Sequence, residues 1–144
     1  MFSMQYAIYE PAKPYFDLVR AALGDLVDGA HFFDGTAKDV VYEVLYDLPA
    51  WPQVIEGRDN LMASFRGYCQ HVKLHSANHL VKHVLESGQG VVIEYEVHGT
   101  ILTNGAEYHN RFCSIIKIKD RKIAHWRDYM DSLAAWNALT SSSR

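Results

Sequence analysis

The sequence predicts an α+β domain in which N-terminal helices pack on a curved, mostly antiparallel sheet and enclose a pocket. Three observations carry this. Apolar residues recur at helical spacing in two segments of the first half of the chain, and a β-rich run, DVVYEVLY, lies between them. Four further β-rich runs follow, and only turn-length connections join them, which makes them antiparallel neighbours. Helices that precede such a sheet cover one of its faces, and the space left between the layers is where a small molecule binds.

Residues 1–13 read as an N-terminal arm. Pro14 suits the first turn of a helix, where its missing N–H costs nothing, and Phe16, Val19, Ala22/Leu23, Leu26/Val27 and Ala30 then recur at steps of three and four. A helix over 14–29 follows from that spacing. Gly24 and Gly29 each cost about 1 kcal/mol against alanine inside a helix, so the element is expected to break near HFFD. DVVYEVLY, residues 39–46, is the first strand, because β-branched and aromatic side chains suit a pleated, half-buried surface. Two prolines and a glycine make DLPAWPQVIEG, 47–57, a loop, with Trp51 large enough to cover a pocket. Leu61, Met62, Phe65, Tyr68/Cys69 and Val72 form one apolar stripe, and Asp59 suits the positive end of a helix over 59–71. The strands NHLVKHVLES, GVVIEYEVHGTIL, AEYHNRFCSIIKIK and KIAHWRDYMD then form a meander with turns at 87–90, 103–105 and 119–121. DSLAAWNAL closes with a helical turn, and 140–144 read as a frayed tail.

No repeat or linker divides the chain, and 144 residues that are 49% hydrophobic are enough for a single domain, 1–144, with a sizeable core. A net charge of -3 without any block of like charges offers no footprint for nucleic acid or an anionic membrane. Cys69 and Cys113 lie far apart and outside any disulfide framework, which fits a reducing, cytoplasmic setting. The first residues lack a signal-peptide pattern, and no stretch approaches the roughly 18 apolar residues of a membrane span.

His71, His75, His79 and His83 fall at four-residue spacing, but they straddle a helix–strand boundary without a carboxylate among them, so no metal site is expected. On a strand His79 shares a face with Val81 and His83 and is a candidate polar group of the pocket. Cys113 sits in the apolar run RFCSII, where a thiol is inert. The stretch KIAHWRDYMD is different. Strand alternation puts Ala124, Trp126, Asp128 and Met130 on one face, so a carboxylate shares its face with tryptophan and methionine. Burial there disfavours the charged form and raises the carboxyl pKa toward neutrality, which makes Asp128 the first candidate acid or base. Tyr108, Asn110 and Phe112 share a face on the preceding strand, as do Tyr42 and Val44 on the first; hydroxyl and amide groups of this kind orient a ligand or a water.

GRDNL at the second helix, EYHNRFCSIIKIKDRKI, the ending WRDYMD and the order of elements resemble the nuclear-transport-factor-2-like superfamily, over about residues 14–139. The similarity is greatest to its SnoaL-like branch of polyketide cyclases, ketosteroid isomerases and limonene epoxide hydrolases. That resemblance implies a cone-shaped fold, a homodimer paired through the sheet, no cofactor, and a small, mostly apolar, ring-bearing ligand. By resemblance to the epoxide hydrolase, Trp126, a water-activating Asp128 and a water-holding Tyr42 match its motif. The arginine and second aspartate of that enzyme fall on Tyr95 and Val97, and its strand-one asparagine on Val44. By resemblance to the cyclases and isomerases, Asp128 moves a proton beside a carbonyl, with Tyr42, Tyr108, Asn110 or His79 as possible donors to the oxygen. The expected site is thus Asp128, Tyr42 and Asn110, with Trp126, Tyr108, Phe112, Trp51, Phe65, His79, Met130 and Tyr95 around the ligand.

Overall fold

The computed structural model describes residues 4–142. Three α-helices, α1 (Lys13–Leu23), α2 (Arg58–His71) and α3 (Ser132–Leu139), accompany a sheet of six strands: β1 (Thr36–Val44), β2 (Val54–Glu56), β3 (Val72–Val84), β4 (Gly90–Ile101), β5 (Glu107–Lys119) and β6 (Lys122–Met130). The strand order is β2-β1-β6-β5-β4-β3, and the sheet does not close. Every neighbouring pair is antiparallel except β1 and β6, which run parallel, so the α+β reading holds with a mixed sheet. That parallel pair joins distant parts of the chain and sets β6 in the middle of the sheet, between β1 and β5.

The helices pack on one face over an aromatic core. Phe16, Phe32, Phe33 and Trp126 are among its largest fully buried side chains, and Phe16 lies 5.1 Å from both Phe33 and Phe65, ring centre to ring centre. Rings at such distances add edge and offset contacts to the area that they bury. Among the described residues no helix is long and apolar enough to cross a membrane.

Several boundaries differ from the sequence reading, each for a physical reason. The expected N-terminal arm is a 3₁₀ helix, Met4–Ala12, because Tyr9 and Ala12 are drawn into the core. The first helix stops at Leu23 instead of 29, where Gly24 takes a positive φ of 50° that an α-helix does not allow. The loop 47–57 contains the short strand β2, paired with β1. The strand expected from Asn78 starts at Val72, directly after α2, and takes in residues 72–77 as well. The tail's first residues are held: Asn104 Nδ2 donates to the carbonyls of Ala138, 2.9 Å, and Ser141, 3.1 Å. The end of the tail, 143–144, lies outside the described residues.

Candidate functional site

A cavity of about 380 Å³ opens between the sheet and the helices. Its walls come from α1, α2, α3, the loop after β1 and the inner face of β1, β3, β4, β5 and β6, and they are mainly apolar and aromatic. Asp128 is the buried carboxylate among them, only 2% exposed. Its place follows from the strands on either side: it pairs with Ser114 on β5 and Val44 on β1, and its backbone carbonyl accepts from Leu45 N–H at 2.9 Å.

Two hydrogen bonds converge on one carboxylate oxygen. Ser114 Oγ donates to Asp128 Oδ1 at 2.7 Å, and Trp126 Nε1 donates to the same atom at 2.9 Å. Behind Ser114 stands the Tyr95 hydroxyl, 3.0 Å away; since the serine proton goes to Asp128, Tyr95 is the donor of that pair. Among the described residues these two are the side-chain hydrogen bonds that the carboxylate accepts, and the Tyr42 hydroxyl stands near enough to favour its anion. Burial pushes the Asp128 pKa up to about 6, against the pull of Trp126, Ser114 and Tyr42, which favour the anion. The same burial raises the phenols of Tyr15, Tyr42, Tyr68 and Tyr95 well above their ordinary value, so they are neutral donors.

The structure gathers most of the expected residues and separates the rest. Tyr42, Trp51, Phe65, Tyr108, Phe112, Asp128 and Met130 line the cavity. Trp126 is fully buried beneath it, stacked on Tyr42 at 5.6 Å, and Tyr95 lies behind Phe112 at 5.3 Å, so both support the wall without lining it. Asn110 is also a correction. Its amide is used up within the fold, donating to Tyr108 Oη at 2.8 Å and the Asp131 carbonyl at 3.1 Å, and accepting from Asp131 N–H at 3.0 Å. His79 is another. It takes a positive φ of 57° at a register shift in β3 and lies exposed beside Glu96, 3.5 Å away.

Ile123 belongs with Trp126 on the buried side rather than opposite it, because the β5–β6 register shifts between Lys117 and Ile118 and one extra residue of β6 is taken up there. The inward positions of β4 are Tyr95 and Val97, while Glu94 and Glu96 turn outward to His83 and His109, each at 2.9 Å. No second charged group from β4 therefore joins Asp128. Among the described residues no cluster of three or more His, Cys, Asp or Glu side chains is placed to hold a metal. Burial pushes the Cys69 thiol up to about 11 and raises that of Cys113, which keeps both protonated near neutrality.

Sequence reasoning missed Tyr15, Ser114 and Tyr46. Ser114 extends the alternation of Tyr108, Asn110 and Phe112 by one step, and Tyr15 stands four residues before Val19 on the buried side of α1, so both were within reach of the pattern. Tyr46 lies just past the end of β1, where alternation gives no guide.

A model of the SnoaL-like domain matches residues 18–126. The chain belongs to this family. Its fold is that of the SnoaL-like branch of the nuclear-transport-factor-2-like superfamily. A solved Bacillus subtilis protein described as a candidate isomerase superposes with a TM-score of 0.74 at 19% identity, over 99% of each chain. A candidate polyketide cyclase from Silicibacter superposes with a TM-score of 0.69 at 15% identity, over 94% of this SnoaL-like chain and 97% of its own. In sequence, the uncharacterised protein YesE of Bacillus subtilis is 24% identical over 105 residues, 73% of this chain and 71% of YesE. Identities this low establish the shared fold, and the SnoaL-like scaffold is compatible with several chemistries.

Proposed function

We propose that this SnoaL-like protein is a cofactor-independent catalyst that isomerises, cyclises or hydrates a small, mostly apolar, ring-bearing molecule by proton transfer through Asp128. One observation carries the reading: a carboxyl group with a pKa of about 6 faces an apolar cavity, held at Oδ1 by Ser114 and Trp126. As a desolvated carboxylate it takes a proton from carbon beside a carbonyl, and as the resulting acid it returns that proton elsewhere on the molecule. Fixing the base also limits the geometry in which substrate and carboxylate meet, a separate source of rate. The cavity's volume suits a molecule of one to three rings, with Phe65, Phe112 and Tyr42 against its faces. Candidate isomerases and polyketide cyclases among the solved relatives fit this chemistry. Hydration by a paired arginine and aspartate finds less support, since Tyr95 and Val97 occupy those inward positions.

Incubating small cyclic ketones and epoxides with the protein in deuterated, ¹⁸O-labelled water tests the reading by mass spectrometry. Deuterium gain beside a carbonyl that is lost in Asp128→Asn is the expected result; ¹⁸O gain instead assigns hydration. No label from a panel of ligands that demonstrably bind would sink catalysis and favour a binding module of the same fold.

A further inference from the structure

The residues around the cavity grade from its floor to its mouth. Asp128, Tyr42 and Tyr15 are buried, whereas Pro49 and Ala50 of the loop after β1, His71 at the end of α2 and Leu139 at the end of α3 line the same cavity and are exposed. The loop and the ends of the two helices therefore frame the mouth. Gly67 stands one turn before His71 on α2, half-buried, and lines the cavity with it.

At two places this rim runs against local preference. Gly67 lies inside a helix of 14 residues, where glycine lowers the folding equilibrium constant about fivefold against alanine. Neither backbone nor packing asks for it, since the helix is regular there and a Cβ would meet nothing within 4 Å. Ala50, on the loop side, is the converse: it holds a positive φ of 67°, a region that glycine enters freely and alanine only under strain. Such departures concentrate where function needs them.

The two sides of the mouth are also held differently. The His71 carbonyl accepts from Leu102 N–H at 2.8 Å, which ties the end of α2 to the turn after β4, and Asn104 of the same turn binds the Ala138 carbonyl of α3 at 2.9 Å. The hydrogen bonds of the loop stay local: Gln53 Nε2 donates to Asp47 at 2.9 Å, Trp51 N–H to the Leu48 carbonyl at 3.1 Å, and Val44 N–H to the Gln53 carbonyl at 2.8 Å. The helix is thus the fixed edge, and the loop is the edge that can yield.

From this arrangement we propose that the ligand enters and leaves between Gly67 and the loop 48–51, and that the missing side chain at 67 sets the width of the passage. The inference goes beyond the proton-transfer reading and does not depend on it, because a binding module of the same fold needs the same route. A residue of the passage differs in kinetics from one of the binding wall. Narrowing the passage raises the barrier to entry and exit alike and leaves Kd where it was, whereas a wall contact changes Kd, mostly through the exit rate.

Stopped-flow fluorescence with N-phenyl-1-naphthylamine, a neutral aromatic probe that brightens in apolar surroundings, reads both rates in wild type, Gly67→Ala and Gly67→Leu. Both substitutions favour the helix, so thermal melts should find the variants at least as stable as wild type, and a loss of fold cannot imitate the result. Entry and exit are expected to slow together, about threefold in Gly67→Ala and about tenfold in Gly67→Leu, with Kd unchanged within about twofold. Unchanged rates in Gly67→Leu, a Kd that rises in step with the substitution, or a wild type that does not take up the probe would each overturn the proposal. Probe rates need no turnover, and Asp128-dependent label transfer reports on catalysis separately, so either idea can fail while the other stands.

Discussion

Asp128 carries an energetic cost that its own titration exposes. Its folded pKa of about 6 stands above the ordinary 3.8, so between those values the folded chain holds a proton that the unfolded chain has released. Stability must then fall as pH rises through that window, the reverse of a salt-bridged aspartate. The gap corresponds to about 3 kcal/mol as an upper figure. Asp128→Asn keeps an acceptor for Ser114 and Trp126 and removes the buried charge. Thermal melts should therefore find it more stable than wild type above about pH 7 and indistinguishable below about pH 4; a variant less stable at neutral pH would contradict the assigned burial cost. The proposed activity runs the other way. A carboxylate base makes kcat/KM rise with pH through about 6 in the free protein, and Ser114→Ala, which deletes a bond to the anion, should move that inflection upward. An unmoved inflection would mean that the profile reports another group. Asp128 was legible in the sequence because alternation set a carboxylate among Trp126 and Met130. The Asn110 and His79 roles were not, since alternation reports which face a side chain takes and nothing about whether its hydrogen bonds are already used.

The strands bend where the sequence is hardest to read. β3 shifts register against β4 twice, between Leu74 and Ser76 and between Asn78 and Val81, and β6 shifts once against β5. A shift reverses the in–out alternation across it, which is why Ile123, on the other side of the β6 shift from Trp126 and Asp128, is nevertheless buried with them, whereas His79 is exposed because β3 there runs past the helical layer. The elements themselves were recovered because helical and strand periods differ, and the missed β2 is only three residues long. The first bend of β3 depends on Gly99. It sits opposite Leu74 on β3 and Tyr108 on β5, and a Cβ there would stand 2.4 Å from the Lys73 carbonyl oxygen. Backbone cannot yield as a side chain end can, so Gly99→Ala should destabilise by about 1–3 kcal/mol in urea unfolding. Leu74 and Tyr108 both line the cavity, so the same change should weaken ligand binding at temperatures where the fold survives. A neutral Gly99→Ala would show that β3 is free to move away from β4.

The whole chain leaves one long strand uncovered. Every residue of β3 from 78 to 84 is exposed, Leu80, Val81 and Val84 at 40%, 47% and 61%, because the helical layer ends before this stretch. β3 is also the edge of the sheet, with only β4 to pair it, and an edge that shows apolar side chains invites another chain. Its register shifts and Lys73 and Lys82 guard against indiscriminate pairing, yet they do not hide the apolar residues. Val81, paired with Glu94, stands on the outer face beside the His83–Glu94 contact and the contacts of Glu96 with His109 and His79, while Val84, paired with the buried Val91, turns to the opposite face. Apolar side chains on both faces of an open edge suit pairing strand against strand, and a two-fold axis would set β3 against its own copy. A specific contact of standard size takes about 800 Å² from each partner, close to a tenth of the 8106 Å² that the chain exposes. Light scattering after size exclusion should accordingly give twice the 16.4 kDa chain mass at micromolar concentration. Val81→Lys with Val84→Lys should return it to a monomer with Asp128-dependent exchange intact, since neither valine lines the cavity. A wild-type monomer at that concentration would refute the pairing, and a dimer untouched by both lysines would place it on another face.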